Sequence, residues 1–354
     1  MHEEGISRRS VLSWAAAVGL AVPAGSLLLS ACGNSDSDGG SGGGSGKKTS
    51  RLYQTAFGYN VGNAPEMVAR EAGFFGDLGI DGKVISSTGT PQAMSGLLAK
   101  TTDYSRFQSI SAMITIANED APFVAFGTPV QRSAFEMQSM AEKPIKDIRE
   151  LEGKSVGVVS AGGTTDQLID LMAVQAGIDP KSIKRKVTGL GTAAYQFAAK
   201  GDVVAWTGSA AEREALEAAG SKVEAWNFDD VLPVPADSYI TTRTEIEKNR
   251  DVVVKVLAGF YQGLEFVCDE ANDKQTIEWV RKYNREITPE AAQQQLDLVR
   301  PLYLAKGKEQ LMVMDPDSWA TMQESLLKAK LITKEADLSK VVYADLLEEA
   351  KALL

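Results

Sequence analysis

The sequence predicts an α/β protein that folds into two lobes. A chain of 354 residues is long enough for two domains, and a hydrophobic content of 44% is ordinary for a globular protein. From Arg51 onward, short apolar strands alternate with amphipathic helices, which is typical of α/β layers. Beyond Glu245 the pattern is helical, with no strand signal. We therefore expect a helical C-terminal region that packs onto the first lobe.

Residues 1–32 have the pattern of an export signal. Arg8 and Arg9 precede an apolar run that closes on Leu29-Ser30-Ala31-Cys32, which is similar to a bacterial lipobox with a lipidated cysteine. The start is similar to a twin-arginine signal, with Val11 where Phe is usual. An uncleaved membrane anchor is the alternative, and either interpretation places the rest of the chain outside the cytoplasmic membrane. We expect a lipid anchor at Cys32 on the outer face of that membrane.

Residues 33–50 are rich in Gly and Ser and have no apolar periodicity, so they predict a flexible tether. The folded body then divides into a first lobe of residues 51–128, a second lobe of residues 129–236 and a return to the first lobe over residues 237–354. Pro233 and Pro235 fit an extended connection at that return.

The first lobe is predicted to begin with a strand over residues 52–57, a polar loop and a helix that ends near Gly73. A second strand over residues 83–87 leads to a turn at residues 88–91, where Thr90 before a proline is a favourable helix start. Ser109-Ile110-Ser111 predicts a third helix start, and residues 124–129 predict a strand that leaves the lobe.

A strand, a Gly-rich turn and a helix are predicted between Gly153 and Gly177. Thr164 fits the N-cap position with Gln167 three residues later, and Gly177 fits the position after the helix. The first helical turn has free N–H groups, and Thr164 and Thr165 add hydroxyls, so this end would attract an anionic or strongly accepting ligand group. The alternative is a self-satisfied turn in an ordinary α/β layer.

The second lobe continues with a strand over residues 184–188, a helix to Lys200, a strand over residues 203–208 and a helix over residues 211–220. The C-terminal region predicts five helices, near residues 245–268, 273–284, 289–304, 317–330 and 341–353.

Composition excludes several classes of protein. A net charge of −10 argues against nucleic acid or an anionic membrane surface as the main partner. One His, at position 2, and two Cys, at positions 32 and 268, cannot form a His/Cys zinc site or a Ser–His–Asp triad. Cys268 lies on an apolar helix face and fits a core position. We therefore predict no metal and no cofactor.

Two glycine motifs do not support nucleotide binding. Gly153-Lys154-Ser155 precedes a strand, whereas a phosphate-binding loop must follow one. The stretch over residues 189–194 matches a dinucleotide pattern, but the strand before it is short and basic where that site needs an apolar strand. Trp206, at the end of a predicted strand, could either wall a ligand site or fill a gap between the lobes.

Five stretches, in order, carry a family resemblance: NAPEMVAREAGFFGDLGI, TGTPQAMSGLLA, IRELEGKSVGVVSAGGTTDQLIDLMAVQAGI, AAKGDVVAWTGSAAEREALEAAG and DSWATMQESLLKAKLI. Together they resemble the solute-binding proteins of nitrate/sulfonate/taurine-type ABC importers, a family that also contains thiamine-pyrimidine-synthase-like proteins. The resemblance runs from about Arg51 to the C-terminus. It implies a two-lobed periplasmic-binding-protein type II fold, with the ligand in a cleft between lobes that two strands connect.

The resemblance also implies a set of ligand-binding residues at helix starts and loops of both lobes: Phe57, Tyr59, Asn60, Asn63, Thr88, Gly89, Thr90, Ser109, Ser111, Gly163, Thr164, Thr165 and Trp206. The sequence departs from the family pattern at two turns. Lys100 stands where a Gly usually precedes Asp103, and Val204 stands where an Asp usually follows Gly201.

These observations predict a monomeric, non-enzymatic protein that captures a small organic molecule by hinge closure and hands it to a membrane permease. With no Lys or Arg at the implied contact positions, we expect a flat or apolar ligand with at most one negative charge, such as a sulfonate, an aromatic carboxylate or a pyrimidine. The alternatives are a same-fold enzyme, such as a pyrimidine-precursor synthase, and an exported structural or sensor module. The Cys-rich motif and active-site His of that enzyme type are absent from the sequence.

Overall fold

The structure, a computed structural model, describes residues 48–231 and 234–354. The predicted export signal, its lipidated Cys32 and most of the predicted tether lie outside the described residues. The first strand begins at Thr49, two residues before the predicted start of the folded body. In the parts that are described, no helix is both long enough and apolar enough to cross a membrane.

Two five-stranded sheets form the framework of the fold. The first sheet has the order β2-β1-β3-β10-β4, and the second has the order β7-β6-β8-β5-β9. In the first sheet β1 pairs in parallel with β2 and β3, and β10 runs antiparallel between β3 and β4. The strands of the first sheet are Thr49–Thr55 (β1), Ile80–Ser86 (β2), Tyr104–Gln108 (β3), Phe123–Gly127 (β4) and Asp237–Thr242 (β10).

The second sheet is likewise mixed. Strand β6 pairs in parallel with β7 and β8, and β5 runs antiparallel between β8 and β9. Its strands are Phe135–Met140 (β5), Ser155–Val158 (β6), Lys184–Val187 (β7), Ala205–Ser209 (β8) and Val223–Asn227 (β9). The chain crosses between the sheets twice, from β4 to β5 and from β9 back to β10. This α/β fold with two sheets confirms the predicted fold class.

Twelve α-helices occur in the described residues. Their bounds are Ala64–Glu71 (α1), Phe74–Asp77 (α2), Thr90–Leu98 (α3), Ser109–Glu119 (α4), Thr164–Gln175 (α5), Gly191–Ala199 (α6), Ala210–Ala218 (α7), Arg243–Cys268 (α8), Asp273–Tyr283 (α9), Pro289–Tyr303 (α10), Pro316–Lys328 (α11) and Leu346–Lys351 (α12). We call the part built on the first sheet the first lobe and the part built on the second sheet the second lobe. The lobe boundaries at residues 128 and 236 remain our proposal.

The C-terminal helices contact more of the fold than the first lobe, onto which they were predicted to pack. Helix α8 packs against α1 and β4 of the first lobe, as expected. Helix α11 contacts both α4 and α5, so it bridges the lobes. Trp319, Met322 and Leu326 of α11 belong to a buried apolar cluster that also holds residues of α5. The apolar face of α11 is therefore buried by helices of both lobes.

Two corresponding turns follow α3 and α6, and each needs a left-handed residue after the helix. Gly201 has φ of 77° after α6, and Lys100 has φ of 57° after α3. Glycine adopts this conformation without the Cβ clash that other residues incur. The departure from the family pattern at Lys100 therefore keeps the turn but strains it.

Candidate functional site

A cleft of about 370 Å³ lies between the two lobes. The first lobe contributes the loop after β1, the start of α3, the end of β3 and one face of α10. The second lobe contributes the loop after β6, the start of α5 and the start of α7. The first connection between the sheets lines it through Val130 and Ala134, and β10 contributes its first residue, Asp237, directly after the second connection. The cleft therefore lies where movement of one lobe relative to the other would open or close it.

Uncapped helix starts from both lobes line the cleft. Helices α3 and α5 line it with their first helical residues, Thr90 and Thr164, and neither helix has a side-chain cap. Helices α4 and α6, also without side-chain caps, contribute only their N-cap residues, Gln108 and Leu190. Uncapped N–H groups bind accepting ligand atoms, and the positive end of the helix dipole adds to this.

The N-terminal end of α5 differs from the predicted capping box. Gly163 is the N-cap, and Gln167 donates its backbone N–H to the Gly163 carbonyl at 3.1 Å, so the helix starts one residue before the predicted position. A Cβ at Gly163 would lie 2.2 Å from the Ser160 hydroxyl oxygen. Because no side chain caps this helix start, its first N–H groups stay available to a ligand.

Seven of the thirteen implied contact residues line the cleft. They are Phe57, Asn60, Asn63, Thr90, Gly163, Thr164 and Thr165. The structure brings them together from the first loop, from α3 and from α5. Whether they contact a ligand stays a prediction.

The other six implied residues lie outside the cleft lining. Trp206 is fully buried and donates its indole N–H to Gln138 Oε1 at 2.9 Å, so it fills the interior of the second lobe. Tyr59 packs on Tyr283, with ring centroids 5.4 Å apart. The four remaining residues outside the lining are Thr88, Gly89, Ser109 and Ser111.

Ser111 joins the lobes instead of facing the cavity. Its hydroxyl lies 3.0 Å from the Thr164 hydroxyl and 2.8 Å from Gln167 Oε1, and these groups belong to α4 and α5. Ser109 is also buried, with its hydroxyl donated to the Ala236 carbonyl at 2.7 Å. Two predicted ligand hydroxyls therefore hold neighbouring elements of the fold together.

Three charged residues of the cleft lining were not predicted as contacts: Arg106, Glu212 and Asp237. Arg106 Nη1 lies 3.0 Å from Glu66 Oε1, and both side chains are buried. The Tyr239 hydroxyl donates to the same Glu66 oxygen at 2.8 Å. Burial disfavours the charged form of Arg106, but Glu66 and neighbouring tyrosines hold its pKa well above the ordinary value. Arg106 is therefore a cation already paired within the protein.

The two carboxylates of the lining come from opposite lobes. Asp237 begins β10 in the first lobe, and its Oδ2 lies 3.9 Å from Arg106 Nε. Glu212 lies in the first turn of α7 in the second lobe, where Ser209 donates its backbone N–H to Glu212 Oε2 at 2.8 Å. Burial raises the pKa of both carboxyls, whereas Arg106 lowers that of Asp237 and the Ser209 hydrogen bonds lower that of Glu212.

The cleft lining has few residues of the types that act as nucleophiles or bind metal ions. Its lining holds neither Cys nor His among the described residues, and Cys268 lies half-buried on α8. In the described ranges no group of three His, Cys, Asp or Glu side chains could hold a metal ion. The arrangement can bind and enclose a small molecule through donors, carboxylates and apolar side chains.

The fold is of the periplasmic-binding-protein type. A family model described as NMT1/THI5 like matches residues 60–273, and the chain belongs to this family. No curated protein matches the sequence.

Solved structures with this fold include periplasmic binding proteins. The periplasmic aliphatic sulphonate binding protein SsuA from Escherichia coli is 17% identical, with a TM-score of 0.65 over 85% of this chain and 99% of that one. The periplasmic nitrate-binding protein NrtA from Synechocystis is 12% identical, with a TM-score of 0.68 over 87% and 89% of the two chains. A DszB variant in complex with biphenyl-2-sulfinic acid is 13% identical, with a TM-score of 0.56 over 87% and 100%.

Proposed function

We propose that the chain is the extracytoplasmic solute-binding component of an ABC importer. It captures a small organic molecule in the cleft and delivers it to membrane permease subunits. The observation that carries the proposal is the cleft itself, which two lobes line with uncapped helix starts and apolar side chains. The likeness in fold to sulphonate- and nitrate-binding proteins supports it.

Closure of the lobes over the ligand fits the exposed apolar residues at the cleft. Phe57 of the first lobe is 40% exposed and Leu190 of the second lobe is 42% exposed, and both line the cavity. Closure around a ligand would bury these side chains, and burial of apolar surface favours the closed state. A ligand shifts the equilibrium only by binding the closed state more tightly than the open state.

A lipid anchor belongs to the same proposal. The lipobox at Leu29-Ser30-Ala31-Cys32 would hold the protein on the outer face of the cytoplasmic membrane, next to a permease. The Cys32→Ser variant should leave the membrane fraction or remain unprocessed, as read by fractionation and by the mass of the intact protein. If the variant stayed in the membrane fraction with the mass of processed, lipidated protein, this result would contradict the predicted lipid anchor at Cys32.

A same-fold enzyme is the second candidate, because the DszB structure shares the fold. The cleft of this chain offers no described Cys or His as a nucleophile or general base. Incubation of the protein with each ligand that binds, followed by mass spectrometry, separates the candidates. A solute-binding protein returns the ligand unchanged.

A thermal-shift screen of the full chain tests the binding function. The panel contains sulfonates, aromatic carboxylates, nitrate, pyrimidines and organic amines. A ligand that binds only the folded state raises the melting temperature. At a hundredfold excess over Kd it adds about 2.7 kcal/mol to the free energy of unfolding. We expect at least one organic class to raise it in a saturable way. A panel that leaves the melting temperature unchanged at millimolar concentrations would argue against solute binding.

A further inference from the structure

The charges of the cleft favour one class of ligand. Its lining has one cation, Arg106, and two carboxylates, Asp237 and Glu212. Buried Glu66, directly behind Arg106, adds a third carboxylate to the same cluster. Arg106 therefore has an internal counter-charge, and the carboxylates of the lining exceed the cations.

Arg106 is held away from a ligand by its own contacts. Its Nη1 forms an ion pair with Glu66, and its Nη2 donates to the Gly62 carbonyl and to Asn63 Oδ1. Its Nε has no hydrogen-bond acceptor among the described residues and lies 3.9 Å from Asp237 Oδ2. Its side chain is only 4% exposed. An anionic ligand would have to compete with Glu66 for this cation, and separating a buried pair leaves an uncompensated charge.

Asp237, in contrast to Arg106, is partly exposed and has no close ion pair. Its side chain is 26% exposed, and the nearest cationic atom, Arg106 Nε, lies 3.9 Å from its Oδ2. A partly desolvated carboxylate is stabilised by a cation that reaches it at hydrogen-bond distance. Burial raises the pKa of Asp237, although Arg106 and a hydrogen bond from the Gln108 side chain lower it.

Glu212 faces the same cavity from the second lobe. Ser209 occupies Oε2, and no described residue donates to Oε1. Asp237 and Glu212 belong to different lobes, so a ligand cation would attract both lobes at once. The helix starts of α3 and α5 each present about half a positive charge, whereas each carboxylate carries a full negative one.

We propose that the cleft takes a ligand with a positively charged group, a protonated amine or an amidinium, on a flat apolar body. The cation pairs with Asp237 and is attracted by Glu212. The apolar body lies against side chains such as Phe57, Phe135 and Leu302 of the lining. This inference rests on the proposed solute-binding function and specifies the class of ligand. It replaces the anionic ligands, which are among those that the sequence predicts, with cationic ones.

Matched probes of one shape test the charge preference. Calorimetric titration of the full chain in detergent compares benzamidine, benzamide and benzoate, and then benzylamine, benzyl alcohol and benzenesulfonate. We expect the cation of each set to bind at least tenfold more tightly than the anion, with the neutral compound between them. Tighter binding of benzoate or benzenesulfonate would overturn the cation preference and leave the solute-binding function intact.

Variants locate the preference in the cleft. Asp237→Asn keeps the shape of the side chain and should weaken benzamidine binding roughly tenfold or more, with little effect on benzamide. Glu212→Gln keeps an acceptor for Ser209 and should weaken benzamidine less. Asp81→Asn, on an exposed position of β2, is the matched control and should change nothing.

Two outcomes would count against the inference in different ways. Unchanged benzamidine affinity in Asp237→Asn, with an unchanged melting temperature, would remove Asp237 from the site and overturn the assignment. Failure of all six probes at about 10 mM would also overturn it, and the thermal-shift screen then decides separately whether the protein binds any solute. A positive screen would show that only the charge inference has failed.

Discussion

Lys100 shows how one residue departs from what its turn requires. It occupies the left-handed position after α3, where φ is 57°, while Gly201 occupies the corresponding position after α6. A side chain other than glycine at this position costs about 1 kcal/mol. The turn persists because Lys100 and Thr101 still donate their N–H groups to the last carbonyls of α3.

Lys100→Gly should therefore stabilise the protein. We expect a gain of roughly 0.5 to 1 kcal/mol in the free energy of unfolding, since relief of strain exceeds the added flexibility of the unfolded chain. Urea denaturation measures it. Lys200→Gly is the control, because Lys200 has φ of −80° and should lose stability on the same change. Equal effects of the two substitutions would contradict the strain at Lys100.

The sequence predicts cleft residues well where the backbone provides the binding groups. Thr90, Thr164 and Thr165 follow from predicted helix starts, and helix starts leave clear sequence signals. The paired charges Arg106 and Glu66 are 40 residues apart in a strand and a helix, so no local pattern links them. The neighbours of Arg106 in its strand, Ser105 and Phe107, are the local sign that this arginine is buried.

At the residue scale, Trp206 is an implied ligand contact that the structure places outside the cleft lining. Its position at a strand end fits either a ligand wall or an interior plug, and strand position alone does not decide between them. The structure buries it completely in an apolar cluster, and Gln138, on the neighbouring strand β5, accepts its indole N–H. That partner lies 68 residues earlier in the chain and could not be inferred from local sequence.

At the scale of elements, the two connections between the sheets bind each other directly. Ser133 donates its backbone N–H to Asp229 Oδ2 at 2.7 Å, and Asn227 Nδ2 donates to the Ser133 carbonyl at 3.0 Å. Arg132 pairs with Asp230 at 2.7 Å. Burial raises the pKa of Asp229 to about 6 although the Ser133 hydrogen bond lowers it. The connection therefore contains a carboxylate that is unfavourably charged at neutral pH.

Asp229→Asn should stabilise the protein near pH 7. The folded protein holds the Asp229 proton more tightly than the unfolded chain, so the wild type loses stability as the pH rises from 3.8 to about 6. Asparagine still accepts from Ser133 and carries no charge. We expect a gain of about 1 kcal/mol at pH 7.5, after allowance for solvent screening, and none below about pH 4.

Thermal denaturation of both proteins from pH 4 to pH 8 checks this dependence. Asp230→Asn is the matched control, because its carboxylate is 58% exposed and an exposed ion pair contributes about 0 to 1 kcal/mol. A stability difference for Asp229→Asn that stays constant over this pH range would show that the charge of Asp229 is not its cause.

Element prediction succeeds for helices and fails where tertiary contacts decide. The bounds of α3, α5 and α8 differ from the predicted ones by a few residues, because caps and apolar periods are local signals. The packing of α11 against α5 is not local, and its sequence predicts an apolar face without indicating which lobe covers it. Strand β5 also escaped prediction, since its polar residues Glu136 and Gln138 are buried only through their partners in the fold.

At the scale of the whole molecule, the sequence predicts the two-lobed α/β architecture because strand and helix signals alternate along most of the chain. The family match over residues 60–273 and the fold likeness agree with it. The alternation of strand and helix signals does not predict the identity of the ligand. That identity depends on which few side chains reach the cleft, and those come from distant segments such as β3, α7 and β10.

The central claim is that the cleft between the lobes is the binding site. Ala211, in the first turn of α7, lines the cleft, and Ala215, one turn later, is exposed outside it. A Trp at position 211 would fill part of a cavity of about 370 Å³, whereas the same substitution at position 215 would extend into solvent.

Calorimetric titration with the tightest ligand from the thermal-shift screen compares the wild type, Ala211→Trp and Ala215→Trp. The account predicts that Ala211→Trp weakens binding by roughly a hundredfold or more, about 2.7 kcal/mol, while Ala215→Trp binds as the wild type does. Equal melting temperatures of the two variants without ligand establish that both are folded. Undiminished binding by a folded Ala211→Trp would contradict the claim and place the site outside the cleft.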